Sequence, residues 1–211
     1  MPVKTSTDMT SSIRAIATVL LCFSTLSCGV VKEISQAVTN LSRCKFKLAN
    51  VNGLTLAGVS ITGKSGINFI DGATLAAGFA RGELPASFTV NIAAVNPNDG
   101  TGGSPKSAAT LTSFAWTLII DNATTINGDI ASPITIPGTG QESIIPLRVS
   151  LDLVKFFKDK GYDHIINLAL ALGGANSSPS RLTLRAKPTV KTDFGPISYP
   201  GEIDIVDREF R

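Results

Sequence analysis

A mainly β fold, an antiparallel sandwich of short strands carrying a few short helices, is what this sequence of 211 residues predicts, and three observations predict it. From Ala86 to Asn98 the chain alternates. Phe88, Val90, Ile92 and Ala94 fall on one face and Thr89, Asn91 and Ala93 on the other, the period of a half-buried strand. The same alternation returns at Phe114, Trp116, Leu118 and Ile120, and again at Ile145, Leu147, Val149 and Leu151. Between these runs stand turn signals, Asn96-Pro97-Asn98, Asn122-Ala123 and Pro137-Gly138-Thr139-Gly140, rather than the long helices of βαβ units.

The chain begins with an address. Lys4 and Arg14 precede the apolar run Ala15 to Leu26, which is shorter than the ~20 apolar residues a membrane-spanning helix needs and so reads as the core of a signal peptide. Thr25-Leu26-Ser27-Cys28-Gly29 follows, with a small residue directly before the cysteine. This stretch resembles a bacterial lipobox, in which Cys28 is acylated, becomes the mature N-terminus and anchors the protein to a membrane. Cys22, preceded by Leu21, fits that role less well. Gly29, in the place where an aspartate signals inner-membrane retention, points to the outer membrane and the periplasm. On this reading residues 1–27 are a lipoprotein signal peptide, 28–43 a lipidated N-terminus and tether helix, and 44–211 the folded domain.

Cysteine usage and charge agree with that division. Of three cysteines, Cys22 is discarded and Cys28 acylated, which leaves Cys44 with no disulfide partner. Cys44 alternates with Phe46 and Leu48, so it is expected as a small buried apolar residue rather than a reactive thiol. Removing residues 1–27 takes away Lys4, Arg14 and Asp8, so the formal charge of +3 becomes +2. So small a balance argues against a nucleic-acid partner.

Taken in order, Val31, Ile34, Val38 and Leu41 recur at helical spacing and predict a short amphipathic helix beside the membrane. Cys44 to Val51 is a strand, Asn52-Gly53 a tight type I′ turn, and Leu54 to Ile61 the returning partner. Asp71 to Gly82 is helical, with Asp71 as cap, Leu75 and Phe79 stacked, and Gly82 as the exit before Pro85. After the strand ending at Asn98, Asp99 to Ser107 is an exposed loop rich in Gly, Ser and Pro. The Trp116 strand turns at Asn122-Ala123 into Thr124 to Ile130, Pro133 to Ile136 is an edge segment, and Ile144 to Leu151 a further strand. Residues 152–174 interrupt the β pattern as a helical insert. Leu153, Phe156 and Phe157 share one face of a first helix, and Asp163 caps a second that carries Ile166, Leu168, Leu170 and Leu172. Leu182, Leu184 and Ala186 mark the last long strand, and Ile203 and Ile205 close the sheet.

Motifs that carry chemistry are few. Gly100 to Ser107 departs from a phosphate-binding loop because Pro105 stands where the second glycine belongs and a strand follows. Gly63-Lys64-Ser65-Gly66 lacks the Gly-x-Ser-x-Gly spacing. One histidine, His164, reads as a solvated first-turn residue, and with one spare cysteine it cannot complete a zinc site. Asp152, Asp159 and Asp163 read as helix caps and polar faces, Asp99 lacks the neighbouring carboxylates that calcium needs, and no acid/base pair can be nominated. No enzyme, cofactor or metal is therefore expected.

The strand ending in Asn96-Pro97-Asn98, the following strand with Trp116, the turn to the Gly128 segment and the run Ile136-Pro137-Gly138-Thr139-Gly140 resemble the late-embryogenesis-abundant type 2 family. This family, also called the water-stress and hypersensitive-response domain, includes a bacterial lipoprotein form that the whole chain resembles. The resemblance covers Cys44 to Leu151 best. It implies an immunoglobulin-like or fibronectin-III-like sandwich with helices at one end, no common enzymatic chemistry, and a role in stress responses or lipid handling. The expected function is then a lipid-anchored, non-enzymatic module at a bacterial membrane that binds a partner protein or a lipid or plays a structural part there, with lipid or hydrophobic-ligand transfer as one alternative and a hydrolase with an unrecognised site as the other. The insert has more apolar residues than one helical face buries, so either the end of the sandwich covers them or a lipid or partner protein does, in which case the binding surface is the cleft with the sheet, at Phe157, Ile166 and Leu170. Asn96 is expected to be structural, with Asn96→Ala costing about 1 kcal/mol through one lost side-chain bond.

Overall fold

The computed structural model describes residues 29, 31–61, 67–102, 105–173 and 182–206. The expected signal peptide, Cys28, the Gly63-Lys64-Ser65-Gly66 stretch and the end of the insert at Gly174 lie outside the described residues. A helix over residues 31–43, α1, leads into β1 (Lys45–Leu56) and β2 (Val59–Ser60). Then come α2 (Phe69–Ala80), β3 (Pro85–Val95), β4 (Ala109–Ile120), β5 (Ala123–Gly128), β6 (Ile134–Ile136) and β7 (Glu142–Asp152). The chain continues through α3 (Leu153–Phe156), α4 (Tyr162–Leu172), β8 (Leu182–Thr192), β9 (Gly195–Ser198) and β10 (Ile203–Ile205).

Two antiparallel sheets pack face to face, one in the order β2-β1-β3-β7 and the other β10-β8-β4-β5, with β6 on β4 and β9 on β8. The residues expected to point inward do so. Phe88, Val90 and Ile92 of β3, Phe114, Trp116, Leu118 and Ile120 of β4, and Ile145, Leu147 and Val149 of β7 are buried in one core. Phe46 meets Phe114 across the sheets with ring centroids 5.5 Å apart. Where the edges of the two sheets come together, Leu48 N donates to Val206 O at 3.0 Å.

β1 departs from the expected hairpin. Asn52-Gly53 does not turn the chain. It sits in a bulge where β1 takes one residue more than β3 between Asn52 and Thr55, with Gly53 at φ +64°. A first bulge lies between Leu48 and Asn50. Each extra residue flips the side-chain parity, so inward positions run from Phe46 and Leu48 through half-buried Val51 and back to Leu54 and Leu56. The hairpin turn falls at Ala57-Gly58, both left-handed at φ +48° and +84°, between the paired Leu56 and Val59. An alanine there is strained. Ala57→Asn is expected to raise stability by roughly 0.5–1 kcal/mol, read as a higher midpoint in urea unfolding. At the β4–β5 hairpin the turn is Asp121-Asn122, one residue earlier than expected, with both residues at positive φ.

Helices cap both ends of the sandwich rather than one. β3 spans 11 residues, with Ala86 beside Leu151 at one end and Val95 beside Glu142 at the other, about 30 Å apart at the rise of a strand. At the Ala86 end sit α2, α3 and α4. Asn68, not Asp71, caps α2: its Oδ1 accepts from Asp71 N at 2.8 Å. Gly82, at φ +76°, ends the helix as expected. The first helix of the insert is a single turn, because the chain leaves helical geometry at Phe157 (φ −121°, ψ 33°). Gly161, not Asp163, is the N-cap of α4, and Asp163 lies in its first turn.

β4 shows how a carboxylate substitutes for a missing strand. β6 pairs with Ala109 to Leu111 and β5 with Trp116 to Ile120, so Phe114 N has no strand neighbour on that side. Asp129 fills the gap, accepting from Phe114 N, from Ile130 N and from Ser113 Oγ at 2.6 Å. Burial alone would raise its carboxyl pKa, but these hydrogen bonds outweigh it and hold the group below the usual value. A depressed folded pKa stabilises above the unfolded pKa, and that contribution is lost as pH falls through the folded pKa. Asp129→Asn is therefore expected to cost on the order of 1 kcal/mol at neutral pH. The gap between the two proteins should narrow in thermal melts as pH falls through the lowered folded-state pKa of Asp129.

Candidate functional site

The insert that the sequence marks as a binding surface is largely a lid on the core. Phe157 is only 6% exposed, a correction to its expected place on a surface. Its neighbour Phe156 points outward instead, because the single-turn helix ends between them. Ile165, Leu168, Ala169 and Leu172 of α4 are buried with Leu75, Leu84, Leu153 and Ile61 in the common core, while Ile166 and Leu170 are half-buried against it. Phe79 and Tyr162 meet edge to face at 5.5 Å, and Tyr162 Oη donates to Gly72 O at 3.4 Å, joining α2 to α4. Asp152 Oδ1 accepts from Val154 N and from Leu84 N, pinning the insert to the start of β3. His164 is exposed in the first turn of α4.

A pocket of about 480 Å³ opens at the other end of the sandwich, within the range of small-molecule sites. Three segments remote in sequence form it. They are the α1 positions Glu33, Gln36, Ala37, Asn40 and Leu41, the lead into β4 at 105–109, and the β8–β9 connection from Val190 to Phe194. Apolar Leu41, Ala109, Val190 and Phe194 share the lining with charged Glu33, Lys106, Lys191 and Asp193. Among the described residues its hydroxyls belong to Ser107 and Thr192, and no histidine or cysteine lines it. Among the described residues no group of His, Cys, Asp and Glu is arranged to hold a metal ion. Asp99 accepts instead from Thr101 Oγ1 and Thr101 N, bonds that hold its carboxyl below the usual value.

Asn96 and Asn98 build the pocket's floor without lining it. Asn96 is fully buried, and its Nδ2 donates to Ser107 O at 2.8 Å and Ile136 O at 3.1 Å. Its Oδ1 accepts from Asn98 Nδ2 and Asn98 N, and Asn98 Nδ2 also donates to Asn40 O of α1 at 3.0 Å. Backbone bonds complete the junction, from Gly140 N to Asn96 O and from Ser107 N to Asn98 O. Pro137 to Gly140 must pass within van der Waals range of this knot. A Cβ on Gly138 would lie 2.4 Å from Asn98 O and 2.5 Å from Ser107 O. The motif residues thus tie α1, β3, β4 and β6 together, a task that turn chemistry at one strand end only hints at.

Cys44 closes α1 and is buried as expected, its thiol pushed up by desolvation to about 11. The apolar stripe of α1 runs off the body. Leu41 is 2% exposed and Val38 half-buried, but Ile34 is 37% and Val31 66% exposed. No helix among the described residues is long and apolar enough to cross a membrane.

No family model matches the chain, and no curated protein does. Among solved structures, a crystal structure of a protein from Archaeoglobus fulgidus is similar at 12% identity and a TM-score of 0.31, covering 59% of this chain and 87% of that one. That likeness is too slight to bear on fold or function.

Proposed function

We propose that this chain is a lipid-anchored, non-catalytic binding module of a bacterial cell envelope, of the late-embryogenesis-abundant type 2 kind, facing the periplasm from the outer membrane. Its ligand is a small amphiphile or lipid, held in the pocket between α1, the lead into β4 and the β8–β9 connection. The observation that carries this reading is the pocket's position. It is built on α1, which begins directly after the lipobox cysteine, so a ligand site and an anchor share one end of the sandwich. The mixed lining supports an amphiphile, because apolar walls take a hydrocarbon part while Glu33, Lys106, Lys191 and Asp193 take a polar one.

Two arms test it. Cys28→Ser should release the protein from membranes or block its processing, and labelled palmitate entering that variant would reject the anchor. For the ligand, lipid extracted from the purified mature protein is identified by mass spectrometry, and Ala37→Phe, which fills the pocket, should remove it. An equal lipid load in the filled variant, or none in the native protein, would reject the pocket as its site.

A further inference from the structure

The stripe of α1 that runs off the body has a definite destination. Exposure rises along it from Leu41 to Ile34 to Val31, toward the N-terminus. Cys28 stands three residues before Val31, where this helix begins. Phe194, 49% exposed in the β8–β9 connection, lines the same pocket as Glu33, the residue next to Ile34 in α1. We infer that Val31, Ile34 and Phe194 form a membrane-contacting rim, seated in the interface of the bilayer that holds the acyl chains of Cys28.

Chain length selects this occupant over a partner protein. From Cys28 to Val31 an extended chain reaches about 10 Å, so an acylated Cys28 holds the overhang at the headgroup region whatever else the domain binds. Isoleucine, valine and phenylalanine placed there gain by burial at the acyl boundary. Among the described residues, the charged side chains around the pocket beside this rim are Lys106 and Lys191 against Glu33 and Asp193, an even balance. Contact is therefore apolar rather than a response to anionic lipid, and the pocket opens beside the membrane surface, so an amphiphile enters from the bilayer rather than from bulk water.

The inference rests on the anchor proposed above, and the test separates the two. The full chain is expressed in a bacterial host with labelled palmitate, and the mature protein is reconstituted into vesicles of phosphatidylethanolamine and phosphatidylglycerol. Ile34→Cys, Phe194→Cys and, at the opposite end, Asp159→Cys each carry an environment-sensitive fluorophore, while buried Cys44 stays unlabelled. The expected result is a blue shift, with quenching by spin-labelled lipid, at positions 34 and 194 and neither at 159. Val31→Asp should abolish the quenching at 194 without changing the melting temperature. Palmitate-bearing protein whose labels at 34 and 194 report water as the label at 159 does would overturn the rim and leave the anchor standing. Protein that takes up no palmitate would overturn the anchor and the rim with it.

Discussion

Replacing Asn96 by alanine is expected to destabilise the protein by about 3 kcal/mol, several times the cost of an ordinary lost cap. The side chain is fully buried and all of its hydrogen-bonding capacity is used within the protein. Alanine removes it and leaves Ser107 O, Ile136 O and Asn98 N without that partner in a site closed by Gly138. Each orphaned buried group costs roughly 1–3 kcal/mol. Asn96→Asp is the sharper control, since it keeps the acceptor but loses both donors and buries a charge, so it should be at least as damaging. Urea unfolding followed by the fluorescence of the chain's one tryptophan, Trp116, measures both. A loss below about 1 kcal/mol for Asn96→Ala would mean that the knot is redundant.

Asn98 gives the same junction a second weak point. Among the described residues its Oδ1 is buried without a hydrogen-bond partner, while its Nδ2 serves both Asn96 and Asn40. Exchanging the two atoms would set an oxygen against the oxygens of Asn96 and Asn40, so the orientation is fixed by its neighbours. Through Asn40 this amide reaches α1, a wall of the pocket, so a change at the strand end is felt there.

The strands were legible because a sheet with one buried face imposes a period of two on the sequence: β7 keeps it throughout, β3 as far as Ile92, and β4 from Phe114 to Ile120, beyond a bulge between Leu111 and Ser113. β1 was not, because two bulges reverse its parity and a left-handed glycine inside a bulge looks the same in sequence as one in a turn. In the insert, the apolar residues suggest a longer first helix than forms. Phe156 and Phe157 are adjacent, and only the break in φ and ψ at Phe157 decides which goes inward. The pocket as a whole had no local signature. Its walls come from residues 33–41, 105–109 and 190–194, joined by a hydrogen bond from Asn98 to Asn40, 58 residues apart. A sign of it was present in α1, whose apolar spacing continues N-terminally past what one sandwich end can cover.

Gly128→Ala should be nearly as damaging as the loss of Asn96, at about 2–3 kcal/mol, and for a different physical reason. Gly128 lies directly across from Trp116 in the β4–β5 ladder, and the indole folds over it. A Cβ there would stand 2.4 Å from Trp116 Cζ2 and 2.8 Å from Cε2. Gly128 has no left-handed φ among the glycines of this chain that do, so space rather than backbone freedom demands it. The ring cannot swing away, because Trp116 is buried in the core beside Phe114 and Leu118. The added methyl must therefore pry β5 from β4 or force the indole off its rotamer. Trp116→Leu removes the obstructing ring atoms at the expense of a cavity. If the clash is the cause, Gly128→Ala will cost far less in the Trp116→Leu background, with a coupling of at least ~1 kcal/mol across the double-mutant cycle. Circular dichroism melts of the four proteins provide the measurement, and additive effects would show that Gly128 serves the strand in some way other than making room for the indole.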